Sequence, residues 1–416
     1  MSELIATAVG GLPEIAPGED LAELIAEAVA GDLRDGDIVV VAHKAVSKAQ
    51  GRLRRLAEIE PGEQARELAA LLGKGPRHVQ AILDESESVV RAERGVLIVR
   101  TRHGFVCANA GIDESNAPAD GMLVLLPLDP DGAARELRAR LRELSGAAPA
   151  VLITDSFGRA WRHGQLDCAI GAAGLVALPG LPEIEPGDDL AALIAAHPLA
   201  DGEVVVIAHK VVSKAEGRLR RLAEITPTAR ALELGAEHGK DPRHVQAILD
   251  ESVELVRASH GVLIVRTRHG FVCANAGIDE SNTPADGVLV LLPLDPDASA
   301  RALRARIASL TGRRPAVVIA DSFGRAWRVG QLDTAIGVAG LQTLDDWRGR
   351  SDRRGRELHA TVLATADAAA AAADLARTKS SGEPVVIVRG LAAHVTKDDG
   401  PGAAALIRPA GEDLFR

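Results

Sequence analysis

The sequence predicts an α+β fold, or an irregular α/β fold, in which helices surround mixed sheets, and it predicts this fold twice. The first reason is that strand-like and helix-like segments are mixed along the 416 residues without the regular alternation of a Rossmann sheet. The second is that neither a GxGxxG turn after a strand nor a phosphate-binding GxxxxGKS or GxxxxGKT loop occurs. The third is a long repeat, since GVLIVRTRHGFVCANAGIDESN stands at 95–116 and again at 261–282.

The repeat is the size of a domain. The repeated segment begins at Gly95 and at Gly261, an offset of 166 residues, whereas solenoid repeats are about 20–50 residues long. The copies are unequal, because residues 345–416 have no counterpart in the first. We therefore predict a truncated unit at 1–175 followed by a complete unit at 176–416. The first copy is either a built-in partner that imitates a dimer within one chain or a passenger from a tandem duplication or gene-assembly error.

The elements of the two copies are predicted in parallel. Each copy opens with a GLPEI loop, and an acidic residue before an apolar run then predicts a helix start. The predicted strands are 37–42, 95–101 and 149–155 in the first copy, 203–208, 261–267 and 315–321 in the second, and 384–388 in the tail. The predicted helices are a polar stretch ending near 77–78 or 243–244, then 79–90, 133–144, 245–256, 298–310 and 361–377.

Composition excludes several classes of protein. A net charge of −10 and only 2% aromatic residues argue against a nonspecific nucleic-acid surface. The amino-terminal segment does not resemble a signal peptide, and no apolar stretch is long enough to span a bilayer. The three cysteines form no CxxC pair and are expected as buried thiols. We expect a cytoplasmic protein with small-molecule partners, without nucleic-acid or membrane binding.

Two of the clusters that could carry chemistry lie near the start of each copy. The GLPEI loop could present its backbone amides to a ligand, although it is also compatible with an ordinary turn. His209 and Lys210 follow a strand, with Lys214 one turn later, and a lysine there could pair with a phosphate. The alternative for this second cluster is a solvated basic loop.

The other two clusters are rich in carboxylate oxygens. Within NAGIDESN, Asp279 and Asn282 stand three residues apart and could face one cation or nucleotide phosphate, or they could form an Asx-rich turn. Asp321 and Ser322 close a buried strand, a position where α/β sites place metal ligands. Such oxygens suit Mg²⁺ or Mn²⁺. Together the clusters indicate a site for anionic substrates, most simply nucleotide-dependent phosphoryl transfer.

At these residues the sequence resembles the coenzyme F420-0:γ-glutamyl ligase family. The resemblance rests on GLPEIEPGDDL, DGEVVVIAHKVVSKAEGR, ANAGIDESN, VVIADSFGRAWRVGQLD and, in the tail, the segments from DWRG to GREL and VVIVRG. It covers 178–416 and about 10–175, where the carboxyl-terminal part is missing. It implies the α+β fold of that family and an enzyme that forms intertwined homodimers.

The resemblance also implies an activity and a set of site residues. The activity is GTP-dependent ligation of L-glutamate to F420-0 through an acyl phosphate, with Mg²⁺ or Mn²⁺ and K⁺, and with Lys214, Asp279 and Asp321 as catalytic residues. The implied nucleotide contacts are Leu181, Pro182, Glu183, Ile184, His209, Lys214 and Asn282, and the implied metal ligands are Asp279, Asp321 and Ser322. The equivalent first-copy residues are Leu12, Pro13, Glu14, Ile15, His43, Lys48, Asp113, Asn116, Asp155 and Ser156.

Two alternatives to this activity stay open at the level of sequence. One is a non-catalytic nucleotide-binding or scaffold paralogue, and the other is a ligase for a different amino acid and carboxylate acceptor. The chain also departs from the family at His209, where family members often have serine before the first lysine. An imidazole could still donate a hydrogen bond at that position.

Overall fold

The computed structural model describes residues 2–5, 7–35, 37–159, 162–173, 183–280, 283, 285–325, 328–352, 355–375 and 384–412. Side chains within the paired strands at 157–164 and 166–173, and at 325 and 328–329, are outside this description, as are those of residues 2–5, 375 and 410. Over the described residues the predicted α+β class with mixed sheets and surrounding helices is confirmed.

The first copy combines one large sheet with smaller ones. Its strands are β1 (Ser2–Ile5), β2 (Ile38–Ala42), β3 (Leu53–Arg55), β4 (Ser86–Glu93), β5 (Val96–Thr101), β6 (Val106–Ala108), β7 (Met122–Val124), β8 (Ala150–Arg159) and β9 (Arg162–Ala173). Its helices are α1 (Leu21–Ala28), α2 (His43–Ala49), α3 (Glu63–Leu72), α4 (Pro76–Asp84) and α5 (Pro130–Ser145). In the large sheet β2 runs parallel to β8, and β8 forms an antiparallel ribbon with β9.

The second copy repeats this order and adds the tail. Its strands are β10 (Val204–Ala208), β11 (Leu219–Arg221), β12 (Ser252–Ser259), β13 (Val262–Thr267), β14 (Val272–Ala274), β15 (Val288–Val290), β16 (Ala316–Arg325) and β17 (Arg328–Ala339). Its helices are α6 (Leu190–Ala195), α7 (His209–Ala215), α8 (Ala229–His238), α9 (Pro242–Asp250) and α10 (Pro296–Thr311). The tail contributes β18 (Asp345–Asp346), β19 (Val362–Leu363), α11 (Thr365–Leu375) and β20 (Val385–Arg389).

The tail joins both large sheets. One sheet has the order β18-β19-β9-β8-β2, so two tail strands extend the sheet of the first copy. The other has the order β1-β20-β10-β16-β17, so a tail strand extends the sheet of the second copy and the amino-terminal strand joins at its edge. The two copies are therefore connected by backbone pairing in both directions.

Local sequence explains where the helices begin. Asp20 and Asp189 accept backbone N–H groups at the starts of α1 and α6, as the acidic residue before each apolar run predicts. Asp129 and Asp295 cap α5 and α10 in the same way, and each of these helices has proline at its first position. The predicted helices at 133–144 and 298–310 and the strands around 96–101 and 262–267 are confirmed.

The prediction of helices across 79–90 and 245–256 is wrong in its second half. Helix α4 ends at Asp84, and β4 begins at Ser86; α9 and β12 repeat this change. The β-branched residues that follow find an antiparallel partner in the next strand, and this long-range pairing decides the local conformation. The polar stretch before them is also divided, because α3 ends at Gly73, a left-handed residue with φ of 65°.

The strands predicted to end on Asp155 and Asp321 continue beyond these residues. Strand β16 pairs in parallel with β10 only as far as Ala320 and then continues to Arg325 as a ribbon with β17. Asp321 therefore lies just beyond the carboxyl end of β10, at the place where the parallel pairing stops. Strand β8 has the same relation to β2. The Ala-rich helix predicted at 361–377 is wrong at its start, because Val362–Leu363 form strand β19 and α11 begins at Thr365. Residues 376–377 lie outside the described chain.

Separate apolar clusters hold each copy together. In the first copy α1 and α5 pack on one face of the large sheet, and α3 and α4 pack on the small sheet of β4, β5 and β6. The second copy has the same two clusters. It also has a third, in which alanines of α11 cover the other face of its large sheet. The side chains of Cys107 and Cys273 are buried, as expected, and the side chain of Cys168 lies outside the described residues.

Candidate active site

A short helix forms the centre of the site in each copy. Strand β10 ends at Ala208, and α7 begins at once with His209, so HKVVSK is a helix and not a solvated loop. His209 is 2% exposed and Lys214 is 4% exposed. Their counterparts His43 and Lys48 in α2 are buried to nearly the same degree. Burial of a cationic side chain is costly unless it meets an anion, so the surroundings of these residues define the chemistry.

The buried lysine meets the GLPEI loop. Lys48 Nζ lies 2.7 Å from Glu14 Oε1, and Lys214 pairs with Glu183 in the same way. The lysine ends of these pairs are 8% and 5% exposed, whereas the carboxylates are 41% and 67% exposed. A buried ammonium group paired with an exposed carboxylate can exchange that partner for the phosphate of a ligand.

The lysine next to the histidine meets the NAGID segment. Lys44 Nζ lies 2.6 Å from Asp113 Oδ2, and Lys210 Nζ lies 2.6 Å from Asp279 Oδ2. Burial opposes ionisation of Asp113, but the Lys44 ammonium and the hydrogen bonds from Ser115 together outweigh this effect and lower the pKa of the carboxyl group. The sequence placed Lys210 in the basic motif without giving it a role.

The histidine faces the aspartate of the long strand. His43 Nε2 lies 3.2 Å from Asp155 Oδ1, and His209 Nε2 lies 3.2 Å from Asp321 Oδ1. These contacts do not have the geometry of hydrogen bonds. Both ring nitrogens of each histidine are buried without a hydrogen-bond partner. A buried polar atom without a partner has a desolvation cost that a bound ligand can relieve.

The NAGID segment is held in a strained conformation beside the aspartate. Asn109 and Ala110 have φ of 53° and 56°, and Asn275 and Ala276 have φ of 51° and 58°. A Cβ atom on Gly111 would lie 3.0 Å from Asp155 Oδ2, so the segment runs directly against that carboxylate. Consecutive left-handed non-glycine residues cost conformational energy and concentrate at functional sites. The residue types Asn, Ala and Gly did not predict this backbone geometry.

The oxygen atoms of the site suit a divalent cation. Asp321 accepts the backbone N–H of Ser322 at 2.8 Å, and the Ser322 hydroxyl donates to Asp333 at 2.6 Å. Asp333 is 2% exposed and was not predicted as a site residue. Among the side chains described, no three His, Cys, Asp or Glu residues already form a metal cluster. Hard carboxylate and hydroxyl oxygens are nevertheless the donors that Mg²⁺ and Mn²⁺ take, so these residues fit such an ion.

The structure brings most of the predicted residues together around α2 and α7. Ile15 and Ile184 are the exceptions within the described loops, because their side chains belong to the apolar core and only their backbone is available to a ligand. Leu181, Pro182 and Asn282 lie outside the described residues. In the first copy, Leu12 and Pro13 stand in the loop before Glu14, and Ser156 donates its N–H to Asp155. None of the described helices combines the length and apolar character needed to cross a bilayer.

Comparisons with known proteins give the site its context. Coenzyme F420:L-glutamate ligase of Methanothermobacter thermautotrophicus is 45% identical over 249 residues, which are 58% of this chain and 98% of that protein. The protein of the same name from Methanopyrus kandleri is 47% identical over 237 residues, 56% of this chain and 94% of that protein. The one from Archaeoglobus fulgidus is 49% identical over 214 residues, 51% of this chain and 85% of that protein.

The family model for F420-0:gamma-glutamyl ligase matches the chain twice, over residues 11–179 and 180–390. Both matches contain the short helix, the strained NAGID segment and the aspartate of the long strand. The chain belongs to the F420-0:γ-glutamyl ligase family and carries the family's sequence twice in tandem.

Proposed function

We propose that this chain is a GTP-dependent ligase that joins the amine of L-glutamate to the carboxylate of coenzyme F420-0 through an amide bond, in the biosynthesis of F420. The observation that carries the proposal is the buried lysine, Lys48 or Lys214, paired with an exposed glutamate. Beside it, two aspartates face the first turn of the same helix. This arrangement offers cations for a phosphate and oxygens for a metal ion. The names of the relatives support the substrates.

The chemistry explains why such a site is needed. The carboxylate of F420-0 is a poor acyl donor, so an oxygen of this group first attacks the γ-phosphorus of GTP, and the bond to GDP breaks. The acyl phosphate then accepts the amine of glutamate at its carbonyl carbon. The new C–N bond forms, phosphate leaves with the electron pair of the C–O bond, and the nitrogen loses a proton. Both steps move negative charge onto phosphate oxygens, which fixed cations stabilise.

Each group of the site has a distinct proposed role. Lys214 and Lys48 bind the transferring phosphate after their glutamate partners move away. Lys210 holds Asp279 in place, and the buried imidazole of His209 supplies a ring nitrogen that can donate to a phosphate or ribose oxygen. Asp279, Asp321 and Ser322 would hold Mg²⁺ or Mn²⁺, which when bound neutralises charge on the nucleotide, and K⁺ is proposed as an additional ion.

The test is the stoichiometry of GTP turnover. Purified full-length chain is incubated with GTP, Mn²⁺ and K⁺, with F420-0 and L-glutamate added singly and together. We expect one GDP and one amide product for each turnover, with both substrates required. The control is the double variant Asp155→Asn, Asp321→Asn, which removes the metal-binding aspartate from both copies while keeping the shape of each side chain, and which is expected to be inactive.

Three other results would contradict the proposal in different ways. Nucleotide binding without turnover under all conditions would favour the scaffold alternative. Turnover with another amino acid in place of glutamate, or another carboxylate in place of F420-0, would favour the alternative ligase. Full activity in the double variant would show that the site has been assigned wrongly.

A further inference from the structure

One segment of the tail lies on the site of the first copy. Residues 345–352 and 355–363, here called the arm, run from β18 to β19 and leave the second copy to contact the first. Strand β19 pairs in parallel with β9, with Leu363 opposite Gln165, and the Ala364 N–H donates to the Gln165 carbonyl at 2.9 Å. The arm therefore extends the sheet that carries Asp155.

The arm contacts the loop that carries Asp113 and Asn116. Asp352 Oδ2 accepts the backbone N–H of Asn116 at 3.0 Å. Arg356 donates to the carbonyl of Glu114 at 2.7 Å and to the carboxylate of Asp120 at 2.6 Å. These bonds bracket the loop on both sides of Asn116, a predicted nucleotide contact, and two of them, at Glu114 and Asn116, lie within three residues of Asp113.

The arm has an ordered structure of its own. Trp347 donates its indole N–H to Asp345 at 2.6 Å, and the Arg350 guanidinium lies 5.0 Å from the centre of the Trp347 ring. Asp352 also accepts the Arg356 N–H at 2.9 Å. The two residues that reach the first copy are thus fixed relative to each other before they contact the loop.

The described part of the second site has different contacts. The carbonyl of Glu280, which corresponds to Glu114, accepts the hydroxyl of Thr283 from its own loop. Strand β17, which corresponds to β9, is the last strand of its sheet among the described residues, and Gln331 is exposed where Gln165 pairs with the arm. The arm belongs to the tail, which only the second copy has, and it contacts the first copy.

A groove opens beside the loop that the arm holds. Its volume is about 440 Å³, and its lining includes Arg77, His78 and Glu114. This size falls within the range of small-molecule sites, which is about 300–1,000 Å³. His78 Nδ1 lies 3.0 Å from Glu114 Oε1, and Glu114 belongs to the loop whose backbone is bonded to Arg356, so the arm reaches the wall of this groove.

We infer that the truncated first copy has a working nucleotide site and that the arm of the second copy positions it. This inference rests on the proposed function for the kind of ligand, and it opposes the view of the first copy as a passenger. Asp352 and Arg356 act as positioning residues: they hold the loop from Asp113 to Asp120, and through it the groups that face the ligand. The two sites of one chain are therefore unequal.

The experiment first isolates each site in the full-length chain. Asp321→Asn disables the second site, and Asp155→Asn disables the first. Binding of GDP with Mn²⁺ is measured by titration calorimetry, because binding does not depend on turnover. We expect the Asp321→Asn chain to keep one nucleotide site and measurable GTP turnover. The inference would be overturned if the Asp321→Asn chain neither bound GDP nor turned over GTP while the Asp155→Asn chain did both.

The second part tests the arm in the Asp321→Asn background. Arg356→Ala is expected to weaken nucleotide binding or raise the KM for GTP about tenfold, the effect of losing charge-assisted hydrogen bonds that hold the loop, and Arg356→Lys should recover part of it. The matched control is Arg348→Ala, an arginine of the same arm whose side chain bonds to Asp346 within the arm. Equal results for Arg356→Ala and Arg348→Ala would overturn the positioning role.

These measurements separate the inference from the proposed function. If no variant and no wild-type chain turns over GTP, the proposed function fails, and the nucleotide stoichiometries of Asp155→Asn and Asp321→Asn still decide whether the first site binds. If the wild type is an active ligase but only the second site binds nucleotide, the inference fails alone. Thermal unfolding of each variant checks that the arm remains folded.

Discussion

Strands β2 and β10 are almost the same sequence in different surroundings. They read IVVVA and VVVIA at equivalent positions. Val206 in β10 is fully buried, whereas Val40 in β2 is 58% exposed. The difference comes from the tail. Strand β20 pairs with β10, and α11 covers the face of the sheet on which Val206 lies, whereas β2 is the last described strand of its sheet. Burial is thus a property of the assembled sheets and not of the strand sequence.

Arginines 138 and 304 show the same difference. Arg304 is 1% exposed and bonds to Asp399 and to the carbonyls of Thr396 and Lys397, all of them in the tail. Arg138 has the same place in α5 and bonds to the carbonyls of Ala148 and Pro149. Contacts with the tail therefore bury Arg304 fully, whereas Arg138, which lacks them, is half-buried. The following four predictions test how far the two copies differ.

The largest effect is expected from the same substitution in the two strands. Val206→Asp places an unpaired charge inside a sheet covered on both faces, and we expect it to lower the free energy of unfolding by more than about 3 kcal/mol. Val40→Asp should change it by less than about 0.5 kcal/mol. Urea unfolding followed by hydrogen exchange would show both the size and the location of the effect. Similar losses would mean that β2 is covered in solution.

The next effect concerns the two arginines. Arg304→Ala leaves Asp399 without its buried partner and opens a cavity, so we expect a loss of about 3–5 kcal/mol. Arg138→Ala removes hydrogen bonds at a half-buried site and should cost about 1 kcal/mol. Thermal unfolding of both variants compares them directly. A cost for Arg138→Ala as large as that for Arg304→Ala would remove the proposed difference between the copies.

A smaller effect is expected on association between chains. Among the described strands, β2 is at the edge of its sheet and has an exposed valine, and such edges promote pairing between molecules. Val40→Lys should reduce the light scattering of concentrated protein on warming. Leu232→Lys, at a position 51% exposed on a helix, is the control and should have less effect. If both variants act equally, general surface charge and not the edge controls association.

The smallest effect concerns two equivalent histidines, one in each copy. Burial lowers the pKa of His78 and of His244, although Glu114 and Glu280 oppose the shift. Both histidines therefore take up a proton more readily in the unfolded chain. The free energy of unfolding should fall as the pH decreases below about 6.5, the usual histidine pKa, and be recovered above it.

His78→Gln and His244→Gln should reduce this dependence on pH by similar amounts, each below about 1 kcal/mol. The measurement is the midpoint of thermal unfolding between pH 5 and pH 8. A difference between the two variants would show that the small sheets of the copies are also unequal. No change in either slope would mean that other groups control the titration.

Much of the fold and site could be predicted from local sequence. The acidic caps, the Arg-rich helices and the GVLIVRT strands are as expected, because each depends on a short stretch of chain. The helix predicted across 245–256 failed because Ser252 and its neighbours pair with a strand that follows later. The site clusters were found from residue type. Asp333 was missed because its partner Ser322 lies on the adjacent strand of the ribbon, and no sequence spacing marks that pairing.

The sequence by itself determined that two copies of one ligase family stand in tandem, and it indicated the clusters of polar residues that each copy contains. Those features follow from local pattern and residue type, which the copies share. Only the tertiary structure decided which copy buries its sheet and which site receives the arm. One tail must serve two nearly identical copies, and the backbone pairing of β19 with β9 and of β20 with β10 divides it between them.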